Sequence, residues 1–143
     1  MKLEELLREM VDAKASDIFI IAGLPLSYEV SGRQIRLDSA PLMPDDTETF
    51  VRAIYEVSGR SMQRFVDNGN HDDDFSFAIA GVGRFRANVF RQRGSFGAVI
   101  RVIPFGLPNP ADFHIPEEVL RLARLQKGLV LVTGPAGAGK STT

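Results

Sequence analysis

Apolar residues recur along the chain with two different periods, and the switch between them marks out the elements. Leu3, Leu6, Leu7, Met10 and Val11 fall at i, i+3, i+4, i+7 and i+8, which predicts an amphipathic helix ending near Lys14. Residues 16–21 read as a strand, and Gly23-Leu24-Pro25 as its turn. Residues 26–30 and 34–37 read as two further strands joined by Ser31-Gly32. Pro41 and Pro44 end this stretch. Asp45 and Asp46 then stand in the first turn of a helix over 47–58, with Phe50, Val51, Ile54 and Tyr55 on its buried face and Gly59 as C-cap. A short helix over 60–68 stops at Gly69.

Three strand patterns follow between 74 and 103. Phe75, Phe77 and Ile79 alternate with Asp74, Ser76 and Ala78, and after the turn Gly81-Val82-Gly83, Phe85, Ala87 and Val89 alternate with Arg84, Arg86 and Asn88. In the third, Phe96, Ala98, Ile100 and Val102 share one face and Arg101 takes the other. If Arg93-Gly94 is a two-residue hairpin turn, Gln92 faces Ser95. Counting outward then pairs Ala87 with Ile100, Phe85 with Val102, and Arg86 with Arg101. Two guanidinium groups directly opposite each other repel unless something anionic lies between them. A phosphate would serve, and so would a surface arrangement in which both splay into water or pair with acids such as Asp74.

Two other clusters invite a metal reading and do not sustain it. Consecutive residues such as His71-Asp72-Asp73-Asp74 rarely converge on one ion, so this run is expected to be a solvated acidic loop. His114, alone before Pro116 and a helix over 117–125, is expected to be a loop or packing residue.

Pro104, Gly106, Pro108 and Pro110 punctuate the chain next, as a linker of restricted flexibility would. The expected organisation is therefore a mixed α/β domain with a largely antiparallel sheet over 1–103, a linker over 104–112, and the start of a second domain over 113–143. That last part holds the strongest chemical signal. An apolar run over 129–133, of the kind seen in a buried parallel strand, leads into Gly134-Pro135-Ala136-Gly137-Ala138-Gly139-Lys140-Ser141, which is G-x-x-x-x-G-K-[ST], a Walker A phosphate loop. Glycines let backbone N–H groups converge on a phosphate, Lys140 would bridge β- and γ-phosphates, and Ser141 would offer its hydroxyl to Mg²⁺. The loop from Gly134 to Ser141, with Thr142 after it, is thus the expected ATP-binding segment. A helix after the loop and a Walker B acid are not within these residues.

Composition adds limits. The chain has 143 residues, 44% hydrophobic and 24% charged, with net charge −1, so no bulk charge points to nucleic acid. Cysteine is absent, which excludes disulfides and thiolate metal sites and fits a reducing compartment. Met1-Lys2-Leu3-Glu4-Glu5 carries acids and no apolar run, so no signal peptide is expected.

Ala15-Ser16-Asp17-Ile18, Ala22-Gly23-Leu24-Pro25, Asp74-Phe75-Ser76-Phe77, Gly83-Arg84-Phe85-Arg86 with Asn88, Phe90 and Gln92, and Lys127-Gly128-Leu129-Val130 into Gly134-Pro135 together resemble the PilT family of type IV pilus retraction ATPases, in the secretion-ATPase superfamily. The resemblance covers essentially the whole chain. It implies an amino-terminal PAS-like domain, a linker, and the truncated start of a RecA-like P-loop ATPase core. It further implies a cytoplasmic homo-hexamer at the inner face of the cell membrane, attached only through partners such as the inner-membrane pilus platform protein and driving twitching motility. ATP and Mg²⁺ are the implied cofactors. The family's γ-phosphate arginines map by motif position to Arg86 and Arg101, which makes these and Lys140 the catalytic candidates. Phe19, Leu26 and Glu29 depart from the family pattern, as do Ala136 and Ala138 in the loop. Pilus-assembly and type II secretion ATPases share these motifs. A start one helix before Ser16-Asp17 and the absence of cysteine are expected to favour the retraction type. A reading of another class makes this stretch a PAS-like interaction module without enzymatic activity. Replacing either arginine by Ala is expected to lower hydrolysis with little change in folding stability.

Overall fold

Leu3, Leu6, Leu7 and Met10 are all buried along one side of helix α1 (Leu3–Asp12), as their spacing requires. Strand β1 (Asp17–Ile20) follows Lys14, whose left-handed φ of 56° turns the chain out of the helix. Strands β2 (Ser27–Val30) and β3 (Arg33–Arg36) form a hairpin around Ser31-Gly32, where φ is 51° and 77°. Positive φ at both turn positions matches the twist of the flanking strands. The computed structural model describes residues 2–37, 40–67, 72–104, 109–135 and 139–140, except the side chains of 64 and 112.

Helix α2 (Pro44–Ser58) begins earlier than its apolar pattern suggests. Pro44 fits the first helical turn, where no N–H is required, so it opens the helix instead of closing the preceding stretch. The Asp46 carboxylate accepts the Met43 N–H at 2.8 Å, and Gly59 closes the far end with φ 67°. Helix α3 (Gln63–Asp67) is shorter than expected, and Asn68 and Gly69 lie outside the described residues.

Strands β4 (Asp72–Ile79), β5 (Gly83–Gln92) and β6 (Ser95–Ile103) complete a six-stranded sheet in the order β3-β2-β1-β6-β5-β4, antiparallel at every junction. The mixed α/β class with an antiparallel sheet is as expected. The acidic run is not. Asp72, Asp73 and Asp74 belong to β4, because the ladder with β5 extends to Asp72 opposite Phe90. Asp73 is moreover half-buried and accepts the Tyr55 hydroxyl at 2.8 Å, tying α2 to β4. His71 lies outside the described residues.

The core forms where α1 and α2 meet one face of the sheet. Leu6, Leu7, Val51 and Ile54 from the helices and Ile18, Ile20, Phe85, Val89 and Ile100 from the strands are fully buried. Each such side chain contributes about 1.5–3 kcal/mol relative to exposure. Alternate residues point the other way, and Asp17, Asp74, Ser76, Arg84, Arg86, Asn88 and Arg101 are exposed or half-buried there.

The chain divides into two compact units, 1–105 and 106–143. The second contains a 3-10 helix (Pro110–Phe113), whose first turn is capped by the Asn109 side chain, and helix α4 (Glu117–Leu122). The helix is shorter than expected because Arg124 and Leu125 bond back only three residues, to Arg121 and Leu122. His114 sits in the turn between them, exposed, with φ 55°. The apolar run over 129–133 does not form the expected strand: Leu129 and Leu131 are 82% and 75% exposed. A parallel core strand exists only by pairing with neighbours, and none pairs with it among the described residues. Among the described residues, no helix is long and apolar enough to cross a membrane.

Candidate functional site

The hairpin β5-β6 carries the arginines. Arg93 and Gly94 have φ 51° and 83°, the left-handed pair that a tight two-residue turn demands, and this fixes the register outward from Gln92 opposite Ser95. Ala87 faces Ile100, Phe85 faces Val102, and Arg86 faces Arg101, as the counting from the turn predicts. The two guanidinium side chains lie on the polar face, 60% and 67% exposed.

Each has an acid. Arg86 donates from Nε and a terminal nitrogen to the two Asp74 oxygens at 2.8 and 3.0 Å, a fork-on-fork pair reached diagonally from β5 to β4. Arg101 donates from Nε to Asp17 Oδ1 at 2.9 Å, straight across the β1-β6 ladder. Two arginines and two aspartates thus make a neutral set around a shallow cavity of about 270 Å³, also lined by Asn88 and Val99. The Arg86 hydrogen bonds hold the Asp74 carboxyl below its usual range, and Asp74 in turn raises the Arg86 guanidinium.

The sequence reading named Asp74 as a partner for a surface arginine and missed Asp17. Asp17 differs in environment. Its side chain is only 14% exposed, and in the ladder it stands between Arg101 on one side and Glu29 on the other. Strand alternation places it on the polar face, but only the β1-β6 pairing brings it to Arg101.

The phosphate-loop candidates lie in the second unit and are described in part. Gly134, Pro135, Gly139 and Lys140 are within the described residues, whereas Ala136, Gly137, Ala138, Ser141 and Thr142 fall outside them. Gly139 takes φ 85°, a conformation open to glycine and strained for other residues. Lys140 Nζ donates to the Pro135 carbonyl at 2.6 Å.

A larger depression, of about 970 Å³ between α1 and α2, includes none of these residues. Its acidic lining includes Glu5 and Asp46, which accept backbone N–H groups at the two helix starts. Chemistry therefore selects the smaller cavity on the sheet.

Known proteins are similar to this chain over its whole length. The type IV pilus ATPase PilU of Pseudomonas aeruginosa is 38% identical over 100% of this chain and 36% of its own length. The chain matches the amino-terminal portion of PilT-like type IV pilus ATPases. PilT of the same organism, a type IV pilus retraction ATPase, is 37% identical over 100% of the chain and 40% of its own length. A crystal structure of the pilus retraction motor PilT with bound ADP superposes with a TM-score of 0.76 and 42% identity, covering 99% of this chain and 40% of that one. The ATPase DotB of Legionella pneumophila superposes with a TM-score of 0.72 at 26% identity, over 96% of this chain and 39% of that one. No protein-family model matches. This PilT-like chain thus spans 36–40% of the relatives it matches.

Proposed function

We propose that this chain is the amino-terminal part of an ATP-hydrolysing hexameric motor of the pilus-retraction kind, working in the cytoplasm at the inner face of the membrane through a platform protein. The observation that carries the reading is the opposed pair Arg86 and Arg101 on the polar sheet face, in the same chain as Gly139-Lys140-Ser141. Two guanidinium groups at adjacent ladder positions suit a γ-phosphate, whose oxygens accept several charge-assisted hydrogen bonds. Lys140 would bring an ammonium to a nucleotide phosphate and offset charge that builds there during transfer. Mg²⁺, held through Ser141, would neutralise phosphate charge that these side chains leave. Residues 1–103, 104–112 and 113–143 would serve as arginine-bearing domain, linker and beginning of the RecA-like core.

The alternative of the same class is a pilus-assembly or type II secretion ATPase, and the likeness to PilU, a type IV pilus ATPase, is in line with a pilus role of either direction. By themselves the 143 residues are expected to behave as a binding module without turnover, because the arginine pair and the phosphate loop supply only part of the nucleotide site proposed here. The test is steady-state hydrolysis by the intact protein. Arg86→Ala and Arg101→Ala should each lower kcat by about 10³-fold, as loss of an arginine finger does. Arg86→Lys should keep nucleotide binding better than turnover, since an ammonium lacks the planar fork. Unchanged hydrolysis in both alanine variants would return the pair to ordinary surface charge.

A further inference from the structure

We propose that Asp17 and Asp74 are positioning residues that park the two arginines on the sheet as a neutral set, releasing Arg86 only to a group more highly charged than one carboxylate, the terminal phosphate of a nucleoside triphosphate. The inference rests on the nucleotide reading of the pair given above and adds what governs its engagement. A bare pair of opposed arginines would be a standing anion site, open to any phosphate or sulfate in solution. Here both are already satisfied by acids built into neighbouring strands.

The two parking bonds are unequal. Arg86 commits both faces of its fork to Asp74, but that pair is open to water, with side chains 60% and 44% exposed. Such a pair exchanges partners at low cost. Arg101 commits only Nε, yet its acid is the largely buried Asp17. Arg101 is thus the fixed member, held in place by a carboxylate that has nowhere else to turn, and Arg86 the one that changes partner. Asp74 competes directly with phosphate for the same two nitrogens, so it sets a threshold. A triphosphate passes it and a diphosphate, which ends before the γ position, does not.

The test measures equilibrium binding of ATPγS and ADP to the intact protein, alongside ATP hydrolysis, for Asp74→Asn, Arg86→Ala and the double variant. Asp74→Asn keeps the shape and removes the competing charge. It should tighten ATPγS binding by about two- to fivefold, the weight of an exposed ion pair, and leave ADP unchanged. In the Arg86→Ala background the same substitution should do nothing. If Asp74→Asn fails to tighten ATPγS while Arg86→Ala still lowers kcat, parking is wrong and the nucleotide reading stands. Equal tightening of ADP, or tightening that persists without Arg86, likewise overturns it. If Arg86→Ala alters neither kcat nor ATPγS affinity, the underlying reading fails and the parking proposal with it.

Discussion

Replacing the two arginines should have unequal effects on folding, although the register makes them equivalent neighbours. The difference lies in the acids. Arg101→Ala leaves Asp17, 14% exposed, without its guanidinium and still facing Glu29 across the β1-β2 ladder. A largely buried acceptor left unpaired costs about 1–3 kcal/mol, and a like charge directly opposite adds a few tenths. For a domain of this size, each kcal/mol lowers Tm by about 4–8 °C. Arg86→Ala strands only Asp74, which is 44% exposed and can turn to water, while the repulsion between the arginines disappears. Its urea midpoint should not move measurably. Urea unfolding of the 143-residue chain, followed by far-ultraviolet circular dichroism, reads both variants against wild type. Adding Asp17→Asn to Arg101→Ala should recover most of the loss, because the stranded charge is then gone. Equal destabilisation by the two alanines, or a larger loss for Arg86→Ala, would refute the argument. The expectation that both arginines are neutral for folding is revised for Arg101 alone.

Other consequences are open to simple measurement. Lys140→Ala should reduce hydrolysis by the intact protein by orders of magnitude, and activity near wild type would remove the phosphate-loop assignment. Phe85→Ala should cost about 3–5 kcal/mol in urea unfolding, since the ring is fully buried between strands and helices. Burial first, then the hydrogen bond to Asp73, raises the Tyr55 phenol above its ordinary value of 10.0, so its contribution is complete below that pH and lost as pH rises toward the folded-state value. Above pH 10 the wild type should therefore lose up to about 1.4 kcal/mol per pH unit more than Tyr55→Phe, and parallel slopes would contradict this. At the acid end the sign reverses: the Asp74 carboxyl is depressed by Arg86, so that pair's contribution persists above the unfolded-state value and fades only as pH falls through the folded one. The wild type minus Asp74→Asn difference, small throughout, should vanish there.

What was legible from sequence follows from how far each feature reaches along the chain. The hairpin register depends on a two-residue turn and strict alternation over nearby residues, both local, and so Arg86 falls opposite Arg101 as counted. Helix α1 is equally local, its apolar stripe needing only the 3.6-residue period. Boundaries failed where tertiary pairing overrides a local signal. Three consecutive aspartates look like a loop, yet the β5 ladder recruits them because Tyr55 and Arg86 offer Asp73 and Asp74 partners that solvent would otherwise supply. The reverse happened at 129–133, where strand-like composition has no strand to pair with among the described residues.

The same distinction explains why half of the arginine site went unseen. Asp17 and Arg101 are 84 positions apart, and what joins them is the β1-β6 pairing at the centre of the sheet, where the amino-terminal strands meet the carboxy-terminal hairpin. No local pattern encodes that junction. Hydrophobicity allows β1 to pair with any strand of matching alternation, and charge supplies a preference among the registers that keep Ile18 and Ile20 in the core. With Ile18 opposite Ile100, Asp17 meets Arg101. A slip of two residues toward the β5-β6 turn would preserve the apolar face but put Asp17 opposite Val99, a largely buried carboxylate beside an aliphatic side chain. Arg101 thus pins the register of the central junction as well as belonging to the candidate site. That double duty is why its loss should register in folding, whereas Arg86, whose acid Asp74 is open to water, is the arginine that can change partners.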